Sequence, residues 1–179
     1  MRWMCAAVLA VGVASSASAQ LAWLGASWGG SWEWQAPSAP NQNFLHSSDG
    51  VPALFVALPL RDDTLFRIRA TDLPHTAVVN GVAWPGTYRA YTVGIDYFLG
   101  GSFGRSVFSA GLGSFNYRLE AKEPPPDVEG SKLGWYFGLG EWIPMTRRVQ
   151  LTLDLAANHT EHSDHPTILT ASVGLVYGF

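Results

Sequence analysis

The sequence predicts an all-β protein, an eight-stranded antiparallel up-and-down transmembrane β-barrel, and three observations carry that prediction. Segment after segment alternates apolar and polar residues with a period of two. The clearest is residues 167–179, where Leu169, Ala171, Val173, Leu175, Tyr177 and Phe179 share one face and smaller or more polar residues share the other. Long and short connections alternate along the chain, as they do in barrels with short turns at one end and longer loops at the other. Charged residues make up only 14% of the chain and aromatics 13%, against roughly 25% charged in soluble domains. No apolar run after Ala19 is long enough for a spanning helix. A lipid-embedded chain of this kind must close its strands into a barrel, because only helices and closed barrels satisfy every backbone polar group in lipid.

Residues 1–19 stand apart from this pattern. Arg2 is followed by an apolar core at 6–14 and by the small-residue run 15–19, with Ala17 and Ala19 in an A-x-A arrangement before Gln20. That is the layout of a secretory signal peptide, too short to span a membrane. Residues 20–179 are then the barrel domain. The single cysteine, Cys5, falls in the signal segment, so the remainder offers no disulfide and no thiolate metal site. A net charge of -3 without any basic run argues against a nucleic-acid partner.

The strands follow in order. Residues 21–34 place Ala22, Leu24, Ala26, Trp28, Gly30, Trp32 and Trp34 on an oily face, opposite Trp23, Ser27, Gly29, Ser31 and Glu33. Residues 35–50, rich in Pro, Asn and Ser, read as a long loop. Residues 51–60 turn Leu54, Val56, Leu58 and Leu60 outward, and Arg61, Asp62 and Asp63 make a tight turn. Residues 64–71 put Phe66, Ile68 and Ala70 outward, which forces Arg67 and Arg69 inward. Residues 72–86, with Pro74 and Pro85, read as a second long loop. Residues 87–99 expose Tyr91, Val93, Ile95, Tyr97 and Leu99 and turn Thr92, Gly94 and Asp96 inward. Residues 105–119 change phase: Phe108, Ala110 and Leu112 carry the oily face at first, then Phe115, Tyr117 and Leu119, and a β-bulge near Gly113 would reconcile the two halves. The proline-rich stretch 120–131 is a third loop. Residues 132–143 set Leu133, Trp135, Phe137 and Leu139 against Gly134, Tyr136, Gly138 and Gly140. Residues 148–158 set Val149, Leu151, Leu153, Leu155 and Ala157 against Gln150, Thr152, Asp154 and Asn158. Residues 159–166 form the fourth loop, before the closing strand.

Strands of roughly ten residues suit a tilted crossing of the bilayer. Trp32, Trp34, Tyr88, Tyr117 and Trp135 toward the loops, and Tyr97, Phe108, Trp142, Tyr177 and Phe179 toward the turns, are candidate interface girdles. A lumen of eight strands is narrow and filled by side chains. Its expected polar network is Glu33, Arg67, Arg69, Asp96 and Asp154, since buried charges persist only when paired. A polar conduit or ligand pocket around Arg67, Arg69 and Asp96 is the sharper alternative.

The most chemical-looking segment is His159, Thr160, Glu161, His162, Ser163, Asp164, His165. Its residues could ligate a divalent metal or supply a Ser163 nucleophile beside a histidine. The plainer reading, a solvated polar loop, is preferred, because short motif matches in polar loops are common by chance. No catalytic, cofactor-binding or metal residue is therefore assigned.

The signal segment, the alternating strands and the terminal LVYGF together resemble the small bacterial outer-membrane β-barrels of the OmpA/OmpX type across essentially the whole of residues 20–179. The resemblance implies a Gram-negative outer-membrane location and an insertion signal in Leu175, Tyr177 and Phe179 read by the barrel-assembly machinery. It also implies contact with outer-membrane lipid and lipopolysaccharide, and a monomer. It marks an architecture and no activity. With the barrel pattern running to Phe179, the peptidoglycan-binding domain that follows the barrel in OmpA-type proteins is expected to be missing. The His and Ser two apart on a strand that mark barrel lipid A deacylases are not matched either, because His162 and Ser163 are adjacent and lie in a loop. The expected function is a structural or surface-interaction role for a porin-like barrel, carried by the outer loops and without enzymatic chemistry. The alternatives are a lipid-modifying deacylase or acyltransferase using the fourth-loop cluster, and a soluble lipocalin-like carrier.

Overall fold

The computed structural model describes residues 21–34, 47–79, 82–100, 104–119, 130–162 and 166–179. The signal-peptide reading of residues 1–19 falls outside them. Eight strands follow one another: β1 (Trp23–Trp34), β2 (Ser47–Arg61), β3 (Thr64–Val79), β4 (Val82–Leu99), β5 (Arg105–Leu119), β6 (Gly130–Pro144), β7 (Val149–Thr160) and β8 (Thr167–Gly178). Each pairs antiparallel with the next, and β8 pairs with β1 to close the barrel.

The closing seam is continuous from Trp23↔Gly178 to Trp34↔Thr167. Below it the Leu21 amide donates to the Phe179 carbonyl at 3.0 Å, and the Phe179 amide to the Ala22 carbonyl at 3.0 Å. Both ends of the barrel chain are thus tied together at the turn end, and no strand edge is left open there.

Period-two alternation decides which side chains meet which environment. Leu54, Leu58, Ile68, Val93, Leu139, Leu153, Leu155, Val173 and Leu175 point away from the axis and are exposed. Phe55, Arg67, Asp96, Tyr136, Thr152 and Val176 point inward and are buried. The greasy face is therefore the outside of a closed cylinder, the reverse of a soluble barrel.

The structure corrects the sequence reading at three places. First, residues 72–86 are not a loop. β3 and β4 continue as a paired ribbon from Asp72↔Arg89 to Val79↔Val82, so the strict alternation of long and short connections breaks here and a long hairpin takes the loop's place. Pro74 and Pro85 permit this because each lies on a free edge. β2 pairing ends at Thr71 and β5 pairing at Gly86, so neither proline has to donate to a further strand.

Second, β5 carries no bulge near Gly113. Its pairs run without a shift through Leu112, Gly113 and Ser114 on both sides. Phe115 and Tyr117 are buried inside the lumen, while Ser114, Asn116 and Arg118 continue the outer face. Third, Tyr88, Tyr117 and Trp142 are lumen residues, each at most 2% exposed, and take no part in an interface girdle.

Candidate functional site

The lumen is built in three layers. Toward the turn end, Trp23, Phe55, Ala57, Leu65, Phe98, Val107, Trp142 and Val176 form one buried cluster. Trp142, from β6, is its centre: its ring lies 5.8 Å from Trp23, 6.1 Å from Phe55 and 5.2 Å from Phe98. Arg105 closes the mouth, with its guanidinium 4.1 Å from the Phe98 ring and a 2.7 Å hydrogen bond to the Asp62 carbonyl.

The middle layer is ionic. Arg67 Nε lies 2.6 Å from Asp96 Oδ2, and both side chains are almost wholly buried. The other carboxylate oxygen of Asp96 accepts from the Ser109 hydroxyl at 2.8 Å, and the Arg67 guanidinium sits 4.5 Å from the Phe55 ring. Arg69 is buried beside them, with Arg67, Asp154 and Asp96 as its charged neighbours. Opposite charges in a low-dielectric lumen hold one another because neither can be left alone there. Tyr136 completes the layer by lying over Gly94 and Gly111, where any side chain would collide with its ring or hydroxyl.

Toward the loop end a second apolar cluster gathers Val51, Leu73, Ala77, Tyr88, Ala90, Phe115, Tyr117 and Ile168. Two histidines pack on its tyrosines. Tyr88 and Tyr117 are 4.6 Å apart, His75 is 5.1 and 5.3 Å from them, and His162 is 4.9 Å from Tyr88. Glu33 on β1 reaches across β2 to β3, where Oε1 lies 3.1 Å from His75 Nδ1 and accepts from the Thr76 amide at 3.0 Å. The Tyr117 hydroxyl accepts from the Ala77 amide at 3.2 Å and donates to the Trp84 carbonyl at 3.0 Å. Carboxylate and phenol together cover backbone groups of the β3–β4 ribbon above the level at which its neighbours stop.

The five charged residues expected in the lumen thus divide into two groups. Arg67, Arg69, Asp96 and Asp154 share the middle layer, and Glu33 belongs to the loop-end layer with His75. Sequence reasoning missed His75, Tyr88 and Tyr117 as lumen residues. The signal that could have found them was the period-two alternation itself, continued through Pro74 and past Leu112.

The fourth-loop cluster does not assemble among the described residues. His159 faces outward, stacked 5.2 Å from Trp135 with Nδ1 2.9 Å from the Thr167 hydroxyl. His162 faces inward and is buried, not solvated: Nδ1 lies 2.8 Å from the Thr160 hydroxyl and Nε2 3.3 Å from the Gly130 carbonyl. The two imidazoles are on opposite sides of the wall, and no cluster of three or more potential metal ligands occurs among the described residues. Ser163, Asp164 and His165 lie outside those residues. At the other end Leu175, Tyr177 and Phe179 line the outer face; Tyr177 and Phe179 pack edge to face at 5.0 Å, and Arg148 donates to the Tyr177 hydroxyl at 3.2 Å.

No protein-family model matches the chain, and no curated protein matches it. Solved structures do. Neisserial surface protein A (NspA) superposes with a TM-score of 0.68 at 11% identity, over 88% of this chain and 97% of that one. The N-terminal barrel domain of Pseudomonas aeruginosa OprF gives 0.59 at 15% identity, over 89% and 98%. Ail, the attachment invasion locus protein of Yersinia pestis, gives 0.51 at 12%, over 90% and 100%. Sequence identities this low speak for fold alone, and the fold is that of the small eight-stranded outer-membrane β-barrels of the OmpA/OmpX type.

Proposed function

We propose that this protein is an integral bacterial outer-membrane barrel, exported by a cleaved signal peptide, whose role is structural or surface-interacting and is carried at its loop end. The observation behind this is the filling of the lumen. An ionic layer lies between two aromatic plugs, centred on Trp142 below and on Tyr88 and Tyr117 above, so the interior serves rigidity and not passage. The β3–β4 ribbon, latched by Glu33 and Tyr117, is a stiff projection suited to contact with lipopolysaccharide or another surface molecule. The similarity to a surface protein and to an attachment protein supports that direction. The aromatic closing strand, with Leu175, Tyr177 and Phe179, serves as the signal to the assembly machinery.

Two measurements test this. Folded protein in planar bilayers is expected to show no steady ion conductance; stable channels of the wild type would overturn the closed lumen. Shortening the ribbon between Thr76 and Pro85 is expected to leave the heat-modifiable gel shift of a folded barrel intact while weakening adhesion of whole cells. Unchanged adhesion would overturn the surface role.

A further inference from the structure

Near the turn end the outer face of the barrel carries an acidic side chain, Glu141. Along β6 the inward positions are Tyr136, Gly138, Gly140 and Trp142, so Glu141 points outward. It is in register with Ser106 on β5 and Leu153 on β7, and Leu153 with Val173 on β8. The Ser106 hydroxyl donates to Glu141 Oε2 at 2.8 Å, and no cation among the described residues reaches the carboxylate. Asp72, an outward-facing acid on β3, is by contrast matched by Arg89 in a two-pronged pair at 2.8 and 3.0 Å.

Beside Glu141 the wall is concave. On the β7 side of Glu141, away from its hydrogen bond to Ser106, a groove of about 510 Å³ runs across β7 and β8 to β1, walled by Leu153, Leu155, Val173 and Trp28 over the small side chain of Ala171 and lined as well by Asp154 and Ser172. Glu141 stands three residues from the end of β6, and its partner Ser106 one residue from the start of β5. The carboxylate is therefore near the turn-end boundary of the apolar band, and the groove begins on the other flank of the same side chain.

We propose that this groove seats an amine-bearing phospholipid of the turn-side leaflet, with its ammonium group on Glu141 and an acyl chain over Ala171. A carboxylate facing lipid without a partner cation is costly. A primary ammonium supplies both the opposite charge and N–H donors to Oε1 and Oε2, whereas a quaternary ammonium supplies charge alone. The apolar walls continue the lipid-facing surface, so the chain below that headgroup meets the same chemistry as the rest of the band. The proposal rests on the membrane-embedded reading given above.

The test is lipid retention. The folded barrel is reconstituted in an equimolar mixture of phosphatidylethanolamine, phosphatidylcholine and phosphatidylglycerol, re-extracted in mild detergent, and its bound lipids are counted by native mass spectrometry. Wild type is expected to retain phosphatidylethanolamine over phosphatidylcholine by about fivefold, the upper end of what one partly exposed ion pair supplies. Glu141→Gln is expected to bring that ratio to about one, and Ala171→Trp, which fills the groove, to reduce retention of every headgroup. Equal retention of the two lipids by wild type, or an undiminished preference in Glu141→Gln, would overturn the site. A protein that shows no heat-modifiable shift and stays soluble without detergent would fail the membrane reading before any lipid was compared. A heat-modifiable barrel without headgroup preference fails only the lipid site.

Discussion

At the scale of single residues, the lumen makes opposite demands on its charges and on its rings. Arg67 and Asp96 meet at 2.6 Å with almost no exposure, so removing one leaves the other charged and unmatched in a dry interior. Asp96→Leu is expected to destabilise the folded barrel by about 3–5 kcal/mol, and the double change Arg67→Met with Asp96→Leu by much less, since the isolated charge is then gone. Urea unfolding followed by the loss of the heat-modifiable gel band measures both. A double variant no better than the single one would show that Arg69 and Asp154 depend on the pair as well. Trp142 is a different case, because its ring is held by contact with Trp23, Phe55 and Phe98. Trp142→Ala is expected to cost about 3–5 kcal/mol through the cavity it leaves, and the same unfolding assay reads it.

At the scale of elements, the barrel shows where a sequence can be read and where it misleads. β7 and β8 were legible because their two faces differ sharply: Leu153 and Leu155 against Thr152, or Val173 and Leu175 against Ser172 and Gly174. β5 misled because both of its faces are apolar in part. Leu112 is oily and faces lipid, whereas Phe115 and Tyr117 are oily and fill the loop-end plug. The rule that greasy residues face outward fails where the lumen itself is aromatic, and only the unbroken pairing on both sides settles the phase. The β3–β4 ribbon was hidden for another reason, since prolines that would break a central strand are harmless on an edge. Of the site, the middle-layer charges followed from period alone. The Glu33–His75 contact did not, because β1 and β3 are not adjacent strands and nothing local links the two residues. The unshifted β5 makes a labelling prediction in a chain whose single cysteine is Cys5. In a Cys5→Ser background, cysteines replacing Ser114 and Asn116 are expected to react with a lipid-phase or interfacial probe, and one replacing Phe115 to be protected. Strong labelling at 115 with protection at 114 would restore the bulge.

At the scale of the whole molecule, everything depends on the first and last strands finding each other. A sheet of this length left open would present two unpaired edges to the bilayer, where each unmatched backbone group is costly. Closure is local in space but remote in sequence: Ala26 on β1 stands directly opposite Leu175 on β8, with the rest of the barrel strung between them. Both point outward, so a cross-link there would not disturb the plugs. In the double variant Ala26→Cys with Leu175→Cys, a short thiol cross-linker is expected to join the two only after folding. Boiling should then yield a looped chain that migrates apart from the linear one. The pairing Ala26→Cys with Leu155→Cys is the control, since β7 lies one strand beyond β8 and Leu155 is in register with Ala171 and not with β1. It is expected to cross-link poorly under the same conditions. Efficient joining of the control pair, or joining of the first pair in urea, would mean that the strands meet without the seam. Failure of the first pair in folded protein would mean that the cylinder is not closed.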